Sequence, residues 1–277
     1  MKVGKVVSKG LSSLFLVFII LISLLPLLWV VMSSFKTNFE IYQSALALPQ
    51  SLNFQNYIDT FEKAHMLKFF TNSVIITFFT LVVDFVIYGM AAYVFARFRS
   101  KVTNTVFGIM SMALLVPSTA TLVPTYMLLK SVGLYDSKAA LVFVYVALTL
   151  PLSLFILRSY FLTIPREIEQ SAYIDGAGFA RTYFQVMLPI AKPGFATAGV
   201  MAFLGAWNDF MYAYIMTSGE NNRTVPLTMK FFQSQQFGNN MGPVFAATVL
   251  IVLPSIIVYL VMQKQIEAGL TMGGVKG

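Results

Sequence analysis

The sequence lacks cysteine entirely and contains a single histidine, His65. A chain without cysteine forms neither disulfides nor thiolate metal sites, and one histidine cannot make a metal cluster alone. The patterns GxxxxGK[ST], HExxH, GxSxG and CxxC are also missing, so the chain cannot bind and hydrolyse ATP by the P-loop route. We therefore expect no metal, no cofactor and no catalytic residue in this chain, which is not predicted to be an enzyme.

Charged residues are scarce too, at 11% of the 277 residues, whereas apolar residues make up 57%. The mean hydropathy of +0.76 lies outside the range of soluble globular proteins. A helix needs about 20 mostly apolar residues to cross a bilayer, and runs of that kind occur at 11–33, 70–96, 104–129, 139–157, 193–217 and 242–262. The sequence predicts an all-α membrane protein with six transmembrane helices in a single domain, 1–277.

The net charge of +8 would suggest nucleic acid as the partner of a soluble chain, but in a membrane chain basic residues flank the spans and set orientation. With the N-terminus inside, the inner segments hold twelve of the 19 Lys and Arg residues. The short connection with Arg97, Arg99 and Lys101 contributes most clearly to that excess. We expect both termini to be cytoplasmic and no nucleic-acid partner.

Three features of the predicted spans bear on function. In the fifth span Gly194, Ala198, Ala202 and Ala206 recur every four residues, which predicts close packing against another helix. Asp84 and Asp209 are carboxylates inside spans, where an ionised group is costly, so each should face protein or water and is a functional candidate. For Asp84, the alternative is an interhelical hydrogen bond with a structural role.

The residues around Asp209 suit a polyhydroxylated ligand. Aromatic rings stack on sugar faces, while amide and carboxylate groups take hydroxyls, and these types are combined in Trp207, Asn208, Asp209 and Tyr212. We take these four as candidates for a substrate pathway. Aromatic residues near a span end also form interfacial belts, and anchoring is the reading that residue type alone favours.

The segment 165–189 predicts a helix-turn-helix between two spans. Helical residues 166–174 should end at Asp175-Gly176, where glycine can take a positive φ and aspartate can bond the local backbone. A second helix presents Phe179, Tyr183 and Met187 at a spacing of four, an apolar face that we expect to lack cover within this chain. Such a face requires a partner, or else it lies on the inner membrane surface.

The stretch PREIEQSAYIDGAGFARTYFQVMLPIAKPG, 165–194, resembles the cytoplasmic signature of permease subunits in binding-protein-dependent ABC importers, E-A-A-x-x-D-G-A followed by F, L-P and a further P. The matching positions are Ala172, Asp175, Gly176, Ala177, Phe184, Leu188, Pro189 and Pro193. AAYVFARF at 91–98, AWNDF at 206–210 and GLTMGGVKG at 269–277 are similar to the carbohydrate branch, of the maltose and multiple-sugar type. The chain is identified as the smaller, six-span permease of a heterodimeric pair.

The resemblance implies that the chain forms half of the translocation pathway of an ATP-driven sugar importer in a bacterial plasma membrane. Oligosaccharides are the expected cargo. Segment 165–189 would couple this pathway to a cytoplasmic ABC ATPase dimer, which binds the ATP and Mg. The residues implied in that coupling are Glu169, Gln170, Ala172, Asp175, Gly176, Ala177, Phe179 and Tyr183. The signature opens with glutamate where this chain has Gln170, so docking could be weaker or use Glu169 instead.

The predicted outer loop at 218–241 is polar and flexible in composition, with phenylalanines interspersed. The resemblance implies that it contacts an extracellular or periplasmic solute-binding protein, with Phe231, Phe232, Gln233 and Phe237 as candidate contacts. Composition alone is equally consistent with a solvated connection.

Two other functions stay open. One is an ABC permease for a non-sugar solute such as a phosphorylated polyol. The other is a gradient-driven secondary carrier, against which stand the small span count, the two intramembrane carboxylates and no evident inverted repeat between 1–138 and 139–277.

Overall fold

The computed structural model describes the backbone over 2–232 and 240–274, and side chains over 12–232 and 240–267. All regular elements in these residues are helical, which confirms the predicted all-α fold. The α-helices are α1 Lys2–Ser33, α2 Asn38–Gln43, α3 Gln55–Glu62, α4 Met66–Val83, α5 Gly89–Arg97, α6 Lys101–Met112, α7 Leu122–Ser131, α8 Lys138–Thr163, α9 Arg166–Ile174, α10 Phe179–Arg181, α11 Leu188–Ile190, α12 Lys192–Trp207, α13 Met211–Met216, α14 Thr228–Phe232 and α15 Met241–Gly274.

Tighter and wider helical turns join some of these helices. The 3₁₀ turns are Ala113–Leu115, Ser118–Thr121 and Val225–Leu227, and the π-helical turns are Asp84–Tyr88 and Thr182–Met187. The first π turn links α4 to α5 and the second links α10 to α11, so each helix continues through it.

Four helices in the described residues are long and apolar enough to cross a membrane: Ser12–Ser33, Met66–Arg97, Lys138–Thr163 and Met241–Glu267. Two bent pairs raise the number to six, if each pair is one span. These pairs are Lys101–Leu115 with Ser118–Ser131, bent by 98°, and Phe179–Ile190 with Lys192–Trp207, bent by 76°. The division into six spans, and the single domain over 1–277, stay predictions.

The runs predicted as the third and fifth spans are not continuous helices. Within 104–129 the chain leaves the helix at Val116 and Pro117, both in extended conformation, because proline lacks an N–H and disfavours a helical residue before it. Within 193–217, α12 stops at Trp207 and a new helix, α13, begins at Met211. The fourth run is longer than predicted, since α8 extends to Thr163 rather than 157.

The described residues divide into two compact units. One comprises 1–67 and 228–252. In it Trp29 packs edge-on against Phe245 with ring centroids 5.2 Å apart. The buried Lys36 donates from Nζ to the carbonyls of Ser44 and Ala45, at 3.2 and 3.0 Å, so its charge is solvated by backbone oxygens.

The other unit comprises 68–227 and 253–277 and contains two apolar cores along α8. One core includes Tyr93, Phe161, Tyr183, Met187 and Phe195. The other includes Leu129, Leu141, Tyr145, Tyr212 and Met216. Because α8 contributes residues to both cores, it connects the two cores directly.

The small-residue stripe of α12 packs closely, as predicted. Gly194, Ala198, Ala202 and Ala206 are all buried. A Cβ on Gly194 would lie 2.6 Å from Cγ of Tyr160 in α8, too close for any side chain, so glycine sets the approach of α12 to α8 there.

Candidate functional site

The predicted turn between the two short helices is well defined. The N–H of Ala177 donates to the carbonyl of Ala172 at 2.9 Å, and the N–H of Gly176 donates to that of Tyr173 at 3.0 Å. Gly176 has a φ of +78°. These paired bonds around a left-handed glycine form a Schellman motif, which satisfies the last carbonyls of α9. The predicted end of the helix at Asp175-Gly176 is confirmed.

The turn presents an exposed surface, which we call the tip and define as the exposed residues within 170–179. Gln170, Asp175 and Gly176 are exposed there, while Ala172 is buried. Ile174 is 86% exposed and Phe179 44% exposed. Sequence analysis did not include Ile174 among the exposed residues of this segment. Ile174 is the last residue of α9, and it lies two residues after Ala172 and therefore on the opposite face of the helix.

Glu169 does not belong to this surface. Its Oε1 lies 2.7 Å from Nε of Arg97, and the two side chains are 9% and 6% exposed. Nη2 of Arg97 also donates to the carbonyl of Ile164 at 3.0 Å. A buried carboxylate needs such a partner, so the expectation that Glu169 could replace the signature glutamate in docking is wrong for this conformation. Its carboxylate is already engaged.

The second helix is also less open than expected. Tyr183 and Met187 are buried, and only Phe179 of the predicted apolar face is exposed. The Tyr183 ring lies 5.2 Å from that of Tyr93 and 6.4 Å from that of Phe161. The prediction of an uncovered face is corrected: the pair folds back on α5 and α8, which supply the cover. We call the packed residues Glu169, Ala172, Tyr183 and Met187 the base.

A second candidate site is a cavity of about 330 Å³ between α8, α12, α13 and the 3₁₀ turn that precedes α7. The bend at Pro117 brings this turn against the cavity. Its polar lining comprises Ser118, Thr119, Tyr145, Thr149, Ser153, Asp209 and Tyr212. None of the described lining residues is Lys, Arg or His, so the cavity offers hydroxyls and a carboxylate without a cation.

Asp209 and Tyr212, two of the four pathway candidates, line this cavity. Oδ2 of Asp209 accepts from Tyr145 Oη and from the N–H of Ala213, both at 2.9 Å, so Asp209 pairs with an N–H group in the first turn of α13. Tyr212 Oη donates to the carbonyl of Ser118 at 2.6 Å. These bonds stabilise the break after α12 as well as the wall of the cavity.

The other two pathway candidates lie elsewhere. Trp207 is buried, with its ring stacked on that of Phe203 at 5.5 Å. Asn208 is exposed, and its amide donates to the carbonyl of Leu204 at 3.1 Å. Neither residue is among those that line the cavity in the described part of the chain. Trp207 packs in the interior because its position on α12 faces other helices.

The predicted outer loop begins as an ordered segment. The Asp136 carboxylate accepts from the N–H groups of Ser218 and Gly219 and from the hydroxyl of Ser218. Partial burial raises the pKa of Asp136, but the hydrogen bonds from Gly219, Ser218 and Asn222 together outweigh burial and lower it. Nδ2 of Asn72 donates to the carbonyls of Asn221 and Arg223, both at 2.9 Å. Flexibility was therefore the wrong expectation for 218–223.

Of the four candidate contacts for a binding protein, two lie within the described residues and two lie outside them. Phe232 is 1% exposed and belongs to an apolar cluster with Ala64 and Val244, which corrects its assignment as a surface contact. Phe231 is partly exposed. Gln233 and Phe237 lie outside the described residues.

The chain is similar in sequence to known membrane transport proteins. The family described as the inner membrane component of binding-protein-dependent transport systems matches residues 86–271. The chain is 36% identical over 253 residues to the diacetylchitobiose uptake system permease of Streptomyces coelicolor, covering 91% of this chain and 84% of that one. It is 32% identical to the trehalose transport system permease of Mycobacterium tuberculosis, covering 92% and 93%. The resemblance to importer permeases is confirmed.

A solved structure shares the fold. A chain of a bacterial ABC transporter that imports the acidic polysaccharide alginate superposes with a TM-score of 0.78 at 21% identity, covering 93% of this chain and 96% of that one.

Proposed function

Since the chain belongs to the family of inner membrane components of binding-protein-dependent transport systems, we propose that it is the transmembrane subunit of an ATP-driven sugar importer. It forms half of the translocation pathway, and a second permease forms the other half. A cytoplasmic ABC ATPase dimer binds ATP and Mg and hydrolyses the nucleotide. A solute-binding protein delivers the sugar at the outer face of a bacterial plasma membrane, and both termini of this chain are cytoplasmic.

One observation carries the proposal: the helix-turn-helix is exposed at its tip and packed at its base. An ATPase that contacts Gln170, Ile174 and Asp175 meets a turn whose backbone is fixed by Gly176. The base is joined to α5 by the Glu169–Arg97 ion pair and to α8 by the Tyr183 ring. Displacement of the tip would therefore act on α5 and α8, and α8 lines the cavity.

An ATPase can bias the two access states only through contacts that differ between them. The tip can supply such contacts because its side chains are exposed. α8 transmits motion of the tip to the cavity. The helix contributes Phe161 to the core that contains Tyr183 and Met187, and it lines the cavity with Tyr145, Thr149 and Ser153. The energy comes from the partner, which agrees with the missing nucleotide motif.

A neutral sugar suits the cavity better than a phosphorylated polyol. Its lining combines hydroxyls with the Asp209 carboxylate and includes no basic side chain among the described residues. A phosphate would face a carboxylate without a compensating cation. The relatives named for diacetylchitobiose and trehalose support the same class of cargo.

Deletion of 176–180 tests the coupling role. In proteoliposomes with both permeases, the ATPase and the binding protein, we expect loss of ATP hydrolysis stimulated by trehalose or diacetylchitobiose, with the variant still in the membrane. Stimulation equal to wild type would contradict the role of the tip. Vanadate should stop uptake, whereas collapse of the membrane potential should not; the reverse would favour a gradient-driven carrier.

A further inference from the structure

The two π-helical turns, Asp84–Tyr88 and Thr182–Met187, line one groove with a volume of about 360 Å³. Phe85 comes from the first turn and Phe184 from the second. A π turn inserts one residue into a helix and often marks a functional position. The proposed transport cycle gives this groove no role.

The aromatic wall of the groove is closely packed. The Phe85 ring lies edge-on to that of Phe195, with ring centroids 5.7 Å apart. A Cβ on Gly199 would lie 2.7 Å from Cζ of Phe85, and a Cβ on Gly89 would lie 2.7 Å from Cζ of Phe195. Any larger residue at either glycine would displace these rings. The helices behind the rings therefore fix the shape of the groove.

The groove extends from the predicted inner side of the membrane towards the hydrocarbon core. Met90 and Phe85 line it from the long helix Met66–Arg97, and they lie about 10 and about 18 Å from Arg97 along the helix, at 1.5 Å per residue. Half of the hydrocarbon core of a bilayer is about 15 Å thick. Phe184 is 55% exposed, so this chain leaves part of the apolar wall uncovered. A lipid acyl chain matches the groove in length and in apolar character.

Lys192 is the charged residue of this groove. It is the first residue of α12, at the 76° bend after Ile190, and its side chain is exposed. No ion pair or hydrogen bond engages its ammonium among the described residues, and none of the lining residues in the described ranges is acidic. A lysine at an apolar surface lays its stem along that surface and keeps its ammonium in a polar layer. A ligand that carries an anion and an apolar chain would complement both parts of the groove.

We propose that the groove binds one anionic phospholipid of the inner leaflet, with an acyl chain against Phe85 and Phe184 and the phosphate beside Lys192. Basic pockets between transmembrane helices on the cytoplasmic side bind such headgroups. A second protein chain fits less well, because burial of Lys192 beneath it would require a matching carboxylate from that chain. A phospholipid carries the anion and the apolar chain in one molecule. The inference requires a membrane location and does not depend on which solute is transported.

Lipid binding by the complete complex tests the site. Native mass spectrometry of the complex, titrated with phosphatidylglycerol or phosphatidylcholine of identical acyl chains, gives the affinity for each lipid. We expect Lys192→Gln to weaken phosphatidylglycerol binding at one site about fivefold and to leave phosphatidylcholine binding unchanged, because only phosphatidylglycerol has a net negative charge. Lys101→Gln is the matched control, since it removes another exposed lysine that begins a helix on the same predicted side of the membrane. It should leave the site unchanged.

A second variant tests the apolar part of the groove. Val86 lines the groove and is 53% exposed, so Val86→Trp should fill the space that the acyl chain occupies. We expect it to weaken binding of both lipids at this site by the same factor, because the headgroup contact is retained. Val102→Trp enlarges an exposed valine that does not line the groove and should change neither affinity there.

Three results would overturn the lipid site. One is an equal affinity of the wild-type complex and Lys192→Gln for phosphatidylglycerol, and another is unchanged binding of both lipids by Val86→Trp. The third is lipid binding at this groove by the isolated permease but not by the complete complex, which would show that the second permease covers the groove. None of these results concerns sugar-stimulated ATP hydrolysis, so failure of the lipid site is distinguishable from failure of the proposed function.

Discussion

The tip and the base of the helix-turn-helix are adjacent in sequence, but they differ in solvent exposure and in their contacts with the rest of the chain. At the tip, Gln170 and Ile174 are exposed, and the backbone is shaped by a glycine with positive φ. At the base, Glu169 is ion-paired with Arg97 and Tyr183 packs among aromatic rings. Residues of one motif thus divide into those that present a surface and those that join it to the membrane helices. The two sets should fail differently when mutated.

Glu169→Ala should give the largest effect, on stability. It leaves the Arg97 charge buried without its carboxylate, and breaking a buried pair in this way costs about 3–5 kcal/mol. Thermal unfolding of the purified permease in detergent measures the loss. The neighbouring Glu167→Ala removes an exposed carboxylate and serves as the control. Equal unfolding temperatures for the two variants would show that the base is not held by the ion pair.

Ile174→Ser should affect coupling and leave stability unchanged, because the side chain is exposed in the isolated chain. If Ile174 is buried against the ATPase, its loss should reduce sugar-stimulated ATP hydrolysis about tenfold. Val102→Ser changes an exposed apolar residue of α6 on the same predicted side of the membrane and should have no such effect. A fall in unfolding temperature without loss of coupling would place Ile174 in the base.

Gly176→Ala should cost about 1 kcal/mol of stability, since the backbone there has a φ of +78° and L-residues are strained in that region. Nothing lies within 4 Å of the added Cβ, so strain is the whole cost. Gly178 has equal space but a φ of −74°, which makes Gly178→Ala the matched control. A denaturant titration that ranks the two variants equally would contradict this account of the turn.

Gln170→Glu should give the smallest effect and only at the tip. It restores the acidic residue that opens the signature and should strengthen binding of the ATPase about two- to fivefold, the gain typical of an exposed charge pair. Titration of the ATPase against the reconstituted permease pair measures this, with Glu167→Gln as a control of opposite charge change. Unchanged affinity at low salt would show that charge at this position is not part of docking.

The local chemistry of the tip was predictable from sequence, while the packing of the base was not. Gly after Asp at the end of an amphipathic stretch predicts a left-handed helix end, and Gly176 adopts it. The pairing of Glu169 with Arg97 spans 72 residues and depends on how α5 meets α9, which no local pattern encodes. The cover on Tyr183 was missed for the same reason, because it comes from α5 and α8.

The two intramembrane aspartates show the same limit. Sequence treats Asp84 and Asp209 alike, as costly carboxylates in apolar runs. The structure gives Asp209 donors from Tyr145 and Ala213 because the helix breaks beside it, and gives Asp84 no partner among the described residues. The 98° bend that brings Ser118 to the cavity likewise follows from no local pattern.

The central claim is that nucleotide at the ATPase changes access to the cavity through the tip. Since the chain has no cysteine, Gly205→Cys provides a single thiol in this subunit, at a cavity-lining position with open space around its Cβ. In the complete complex, labelling of this thiol by a membrane-impermeant reagent should differ between the nucleotide-free and vanadate-trapped states, and Ile174→Ser should abolish the difference. Identical labelling in both nucleotide states of the otherwise wild-type complex would contradict the claim.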